Sequence, residues 1–189
     1  GRRYALHVNG ADVVRYVSSP LIFAANHVSE LDPLTLGSSL PSSHLPLFFV
    51  TLPKQWYQKP RFGWRQHLYG GDFFYVLGGR AVTMGTKDYA SALENQQSIL
   101  ESGYNLCMFP EGKMNPKYEG LEARGGVAYL AFVTQTPIVP VQIYVSQTQQ
   151  KITLRISEPL WPADLFHSQE EIPDYKATAQ YIMRCVYSS

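Results

Sequence analysis

The sequence predicts an α/β domain, a mostly parallel sheet covered by helices on both faces. Two observations carry that expectation. Short apolar runs at Leu21 to Ala25, Leu47 to Thr51, Phe73 to Leu77, Asn105 to Phe109, Ile138 to Val145 and Ile152 to Ile156 alternate with longer segments of helical period. Several of these runs are continuously apolar rather than alternating, as expected of strands buried on both faces. A chain of 189 residues is within the range of one domain, so 1–189 is read as a single unit.

Taken in order, Tyr4 to Gly10 reads as a peripheral strand and Leu21 to Ala25 as a buried one that delivers Asn26-His27 into a turn. Asp32-Pro33 then opens a helix, with proline at a position where its missing N–H costs nothing. The clearest helix is expected from about Lys87 to Glu101, with Tyr89, Ala92, Leu93, Gln96, Ile99 and Leu100 near one stripe and Ser102-Gly103 as its stop. The strand from Asn105 follows at once and ends in Pro110-Glu111-Gly112-Lys113. A second helix is expected from Gly126 to Thr134, ended by Thr136-Pro137, and a third from Tyr175 to Tyr187. Lys151 to Trp161 reads as peripheral strand and loop, and Asp164 to Asp174 as a polar surface excursion.

Composition narrows the function. With 45% hydrophobic and 16% charged residues the chain is expected to fold, and a net charge of +1 supplies no general field for nucleic acid. Cys107 and Cys185 are far apart and lack metal-ligand spacing, which suggests neither a disulfide framework nor a zinc site and fits a reducing compartment. No run approaches the ~20 apolar residues of a membrane span. The sequence opens Gly1-Arg2-Arg3-Tyr4 without an initiator Met, so a preceding segment holding a membrane anchor is one reading of the start.

Function is expected at strand ends, because ligands of open α/β sheets bind beyond the carboxyl ends of strands. Both polar clusters sit there. His27 and Asp32 are five residues apart, a spacing that one helix would separate by about 140° but a turn can close. A histidine can take a proton from an alcohol near neutral pH, and a carboxylate on its other ring nitrogen fixes the tautomer. The bland alternative is a helix cap at Asp32 with a hydrogen-bonded turn histidine, and Glu30 is the other nearby carboxylate. In the second cluster, Glu111 and Gly112 occupy a tight turn that exposes backbone N–H groups, suited to an acceptor carrying hydroxyl and phosphate. Lys113, Lys117 and Arg124 add positive charge downstream, or form an ordinary solvated loop.

These clusters carry a family resemblance. Asn26-His27-(four residues)-Asp32 is similar to the NHX4D motif of the 1-acylglycerol-3-phosphate acyltransferase family, Phe109-Pro110-Glu111-Gly112 to its FPEG motif, and Thr136-Pro137-Ile138-Val139-Pro140-Val141 to its closing V-P-I-V-P-V block. The likeness extends from about Leu21 to Tyr144. It implies acyl transfer without an acyl-enzyme, with His27 as general base and Asp32 orienting it. Asn26, Lys54, Arg80, Glu111, Gly112, Lys113 and Arg124 are the substrate-binding candidates. Lys54 is the oxyanion candidate, because family members often carry a lysine before a segment like Phe62-Gly63-Trp64. Glu111 and the Gly112 backbone would hold the acceptor.

The chain also departs from the family. Met84 stands where an arginine commonly binds acceptor phosphate, leaving Arg80 and Lys87 as displaced candidates, and Met114 replaces the arginine of the third block. The Gly112-Lys113-Met114-Asn115 ending resembles that of tafazzins. A lysophospholipid is therefore the first-choice acceptor, with 1-acylglycerol-3-phosphate or glycerol-3-phosphate as the alternative. Acyl-CoA, acyl-carrier protein or a phospholipid is the expected donor, with no cofactor and no metal.

Trp56 to Tyr69 interleaves aromatic and basic residues, the composition of a segment at a membrane surface or, equally, of a core-facing stripe with its charges in solvent. His7, His44, His67 and His167 are read as surface or satisfied polar residues. Two rival functions remain: a catalytically silent lipid-binding domain, and a hydrolase using His27 with Ser29, although no G-x-S-x-G sequence surrounds that serine.

Overall fold

A computed structural model describes residues 4–58, 63–69, 72–84, 88–120, 122–166 and 173–188. In chain order the strands are β1 (Ala5–Asn9), β2 (Ile22–Ala25), β3 (Leu47–Thr51), β4 (Gly79–Ala81), β5 (Asn105–Met108), β6 (Ile138–Ser146) and β7 (Lys151–Ile156). They form one seven-stranded sheet in the order β1-β7-β6-β2-β5-β3-β4. Every neighbouring pair is parallel except β6 and β7, which are antiparallel. The mostly parallel sheet is as the sequence predicts.

The helices are α1 (Ala11–Val14), α2 (Asp32–Gly37), α3 (Lys54–Tyr57), α4 (Arg65–Tyr69), α5 (Phe73–Val76), α6 (Tyr89–Glu101), α7 (Gly126–Thr134), α8 (Pro162–Leu165) and α9 (Tyr175–Ser188). Two cores result, one on each face. Ile22 and Ala24 of β2 point into a core with Leu93 and Leu100 of α6, Leu130 of α7 and Ile182 of α9. The alternate residues Leu21, Phe23 and Ala25 point into the other, with Val14 and Leu36. Because β2 is central in the sheet and a core packs on each of its faces, all four of its residues are buried. Burying one such side chain as large as Phe23 contributes about 1.5–3 kcal/mol, which is why a continuous apolar run marks this strand.

Helix α6 begins where the Asp88 carboxylate accepts the Ser91 N–H at 2.8 Å. Lys87, the expected start, lies outside the described residues, as does Phe62. The helix departs from helical geometry at Leu93 (φ −120°, ψ 16°), where the Ala92 carbonyl accepts from Thr83 N–H at 3.0 Å. Gln96, placed on the apolar stripe by its period, is fully buried and donates to the carbonyls of Arg80 and Ala81 at 3.1 and 3.2 Å. It covers the edge strand β4.

The expected strand from Phe73 to Leu77 is instead the helical turn α5. A five-residue apolar run is too short for its period to separate strand from helix. Gly78, at φ +100°, reverses the chain after it, and the strand follows only at Gly79. Most of the expected surface excursion, 167–172, lies outside the described residues, but Phe166 at its start is buried in the α6–α7–α9 core.

Candidate active site

β2 and β5 are parallel neighbours, so their carboxyl ends bring the two polar clusters side by side. After Ala25 the chain turns and α2 starts at Asp32, with Leu31 as cap and Pro33 in the first turn. The Asp32 carboxylate, 3% exposed, points back into the turn. Its Oδ2 accepts the N–H groups of Val28 at 2.7 Å and Ser29 at 2.8 Å, and lies 2.9 Å from His27 Nδ1. No side chain caps the helix, so Asp32 is not the cap of the bland reading; its carboxylate closes the turn before α2 and partners the histidine.

An ionised carboxylate only accepts, so the proton belongs on Nδ1 and the lone pair on Nε2. Among the described residues no protein group bonds Nε2, and the side chain is 20% exposed. The ring is held from the other side by Phe109, stacked at 4.1 Å between centroids with 20° between planes. The other local candidates are occupied. Glu30 pairs with Arg65 at 3.1 Å, and the Ser29 hydroxyl accepts from Leu31 N–H at 3.2 Å.

The second cluster clamps the His27 main chain. Glu111 Oε2 accepts the His27 N–H at 3.2 Å, and the Asn115 N–H donates to the His27 carbonyl at 2.5 Å. Glu111 Oε1 accepts from Asn115 Nδ2 at 2.7 Å and from the Tyr187 hydroxyl at 2.5 Å. Glu111 is 4% exposed with protein donors on both oxygens, so its carboxylate secures the histidine loop rather than facing an acceptor. Burial, followed by the hydrogen bond and charge of Glu111, raises the Tyr187 phenol above its ordinary range, so it remains a donor.

Gly112 has φ +67°, and a Cβ there would fall 2.5 Å from Arg124 Nε and 2.9 Å from its Cδ. Glycine therefore lets the arginine lie across the turn. The Arg124 main chain is fixed by its N–H to Pro110 O at 2.8 Å, while its side chain is exposed. Among the described residues, neither Arg124 nor Lys113 forms an ion pair.

Three other candidates differ from expectation. Asn26 is fully buried, and its amide bonds both main-chain groups of Ile143, accepting from N–H at 2.7 Å and donating to the carbonyl at 2.9 Å. It extends the pairing of β2 with β6 and has no open surface for a substrate. The Arg80 guanidinium donates to the carbonyls of Tyr75 and Gly79 at 3.0 and 2.9 Å and lies 4.3 Å from the Tyr75 ring centroid. Lys54 pairs with Asp72 at 3.1 Å. Phe109 and Asn115 were visible inside the third motif without a role, whereas nothing near Tyr187, 76 residues from Glu111, signals its part.

The family model described as Acyltransferase matches residues 5–144. The chain belongs to the acyltransferase family. The 1-acyl-sn-glycerophosphate (LPA) acyltransferase PlsC from Thermotoga maritima shares the fold, with a TM-score of 0.64 and 22% identity over 98% of this chain and 72% of that one. A curated relative from Mycoplasma pneumoniae, named as a probable 1-acyl-sn-glycerol-3-phosphate acyltransferase, is 27% identical over 81% of this chain. The chain spans 57% of that relative's length. Helix α9, with Tyr187, lies after the matched residues.

Proposed function

We propose that this acyltransferase moves a fatty acyl group from a thioester donor to the free hydroxyl of a 1-acylglycerol-3-phosphate. The observation that carries the reading is the His27 Nδ1 to Asp32 contact of 2.9 Å, with no group among the described residues bonding Nε2. In this reading Nε2 takes the proton of the acceptor hydroxyl as its oxygen attacks the thioester carbonyl. The tetrahedral intermediate then collapses, the C–S bond breaks, and the imidazolium returns the proton to the thiolate. Asp32 holds the ring through both transfers.

Arg124, laid over Gly112 beside the histidine loop, is the proposed partner of the acceptor phosphate, with Lys113 next to it. Both relatives are named for a phosphate-bearing monoacyl glycerol, which favours this acceptor over the lysophospholipid first expected from the sequence. The lysophospholipid remains the second reading because Met84 and Met114, 48% and 47% exposed, present no charge where arginines commonly stand. The donor is proposed as acyl-CoA or acyl-carrier protein. Trp64, Tyr75 and Val76, all exposed, support work at a membrane surface, with location on a membrane following from it. No helix among the described residues is long and apolar enough to cross a membrane.

The test is free-thiol release from palmitoyl-CoA with a panel of glycerol phosphates and lysophospholipids, comparing the native chain with His27→Ala. Release that requires 1-acylglycerol-3-phosphate and vanishes in the variant is expected. Release with lysophospholipids alone selects the second reading, and none with any acceptor leaves the silent lipid-binding domain.

A further inference from the structure

Glu111 places a carboxylate in a nearly dry site, where a charge needs close donors on both oxygens. Its Oε2 has the His27 N–H. The other oxygen has two candidate donors, Asn115 Nδ2 and the Tyr187 hydroxyl, and they are not equivalent. Asn115 Nδ2 has only two hydrogens and three acceptors in reach: Glu111 Oε1 at 2.7 Å, the Glu119 carbonyl at 2.7 Å and the Tyr187 oxygen at 3.2 Å. The Tyr187 hydroxyl has one hydrogen, and Glu111 is its acceptor.

Tyr187 stands on a well-anchored element. Ala179, Ile182, Met183 and Val186 of α9 are buried in the core, Gln180 Oε1 accepts from Ala123 N–H at 3.0 Å, and the Tyr187 carbonyl accepts from Gln142 Nε2 at 3.4 Å. A fixed helix therefore aims one hydroxyl at the carboxylate that holds the base's main chain.

We infer that Tyr187 is a positioning residue for His27, acting through Glu111, so that the C-terminal helix beyond the family-matched segment sets the aim of the general base. Without the hydroxyl, Oε1 keeps only a divided donor, the carboxylate swings towards a better one, and Oε2 releases the His27 N–H. The imidazole then shifts against Phe109. Its catalytic part rests on the proposal that His27 is the base; the mechanical link from Tyr187 to the His27 amide does not.

The experiment compares the full chain with Tyr187→Phe, which keeps the ring and removes only the hydroxyl, and with Tyr181→Phe, an exposed tyrosine of the same helix. Two quantities are read: kcat and KM with palmitoyl-CoA and 1-acylglycerol-3-phosphate, and amide hydrogen exchange by NMR at His27 and at Val141 of β6. Tyr187→Phe is expected to lower kcat about tenfold with both KM values within about twofold, and to speed His27 exchange about tenfold. Val141 exchange stays at the native rate, and Tyr181→Phe matches the native chain throughout. Native exchange at His27, a native kcat, or equal acceleration at His27 and Val141 each overturns the inference; the last makes Tyr187 a stability residue only. If the native chain itself turns over no thioester, the proposed function fails, and His27 exchange relative to Val141 alone decides the link.

Discussion

The sheet buries a histidine-centred polar cluster at each end, and the two differ in one respect. At the amino end of the strands His44 is 1% exposed, with Nε2 at 2.7 Å from the Val14 carbonyl and Nδ1 at 3.4 Å from the Ser19 hydroxyl. Asn105 completes that network, accepting from Leu21 N–H at 2.7 Å and donating to Ser19 Oγ and the His44 carbonyl at 3.0 and 2.9 Å. Every polar atom there has a protein partner, and the result is a fastening. At the carboxyl end His27 is fastened just as firmly, through Nδ1, its N–H, its carbonyl and its ring face, but among the described residues nothing bonds Nε2. Chemistry needs a polar group held everywhere except at one atom.

The sharpest way to break this comparison is to remove each centre in turn. His27→Ala is expected to cut thiol release about 10³-fold, roughly 4 kcal/mol of transition-state stabilisation, with little change in the urea midpoint. Asp32→Asn replaces an acceptor-only group with one that also donates, and should lower kcat about 10²-fold while the acceptor KM holds, as steady-state kinetics would show. At the closed end the readout reverses. Asn105→Ala strands the Leu21 N–H and the His44 carbonyl in the core and is expected to cost about 2–3 kcal/mol in urea unfolding, with kcat within about twofold. A large loss of kcat there without loss of stability would erase the distinction between the two ends.

The smallest effect belongs to the rim. Arg124→Ala is expected to raise KM for 1-acylglycerol-3-phosphate about three- to tenfold, leaving palmitoyl-CoA KM alone, and the difference should shrink as salt is added because the side chain is exposed. Equal effects on phosphate and non-phosphate acceptors would remove Arg124 from the phosphate.

The framework and the contact between His27 and Asp32 were legible in the sequence because both are local. Leu21 to Ala25 is apolar without interruption because neighbours cover both faces, and His27 finds Asp32 within one turn. Phe73 to Leu77 misled because a run that short satisfies strand and helix alike, and only Gly78 distinguishes them. The parts of Asn26, Glu111 and Tyr187 were hidden for another reason. Their partners lie 117, 84 and 76 residues away, and a carboxylate in a motif reads the same whether it faces a ligand or a neighbouring loop. His44 was expected to be surface or satisfied; it is satisfied and buried, which no local pattern around Ser42 to His44 discloses.

The Asn26 amide lets one side chain do what the next peptide unit of β2 would have done. Strand pairing with β6 runs on to Ile143 through atoms that are not backbone, so the chain changes direction before its lateral bonding stops. His27 therefore follows directly on a residue tied into the sheet rather than dangling from a hinge. Aspartate lacks the donor for this and glutamine is a methylene too long, so the steadiness of the imidazole is tied to a particular amide at a particular reach.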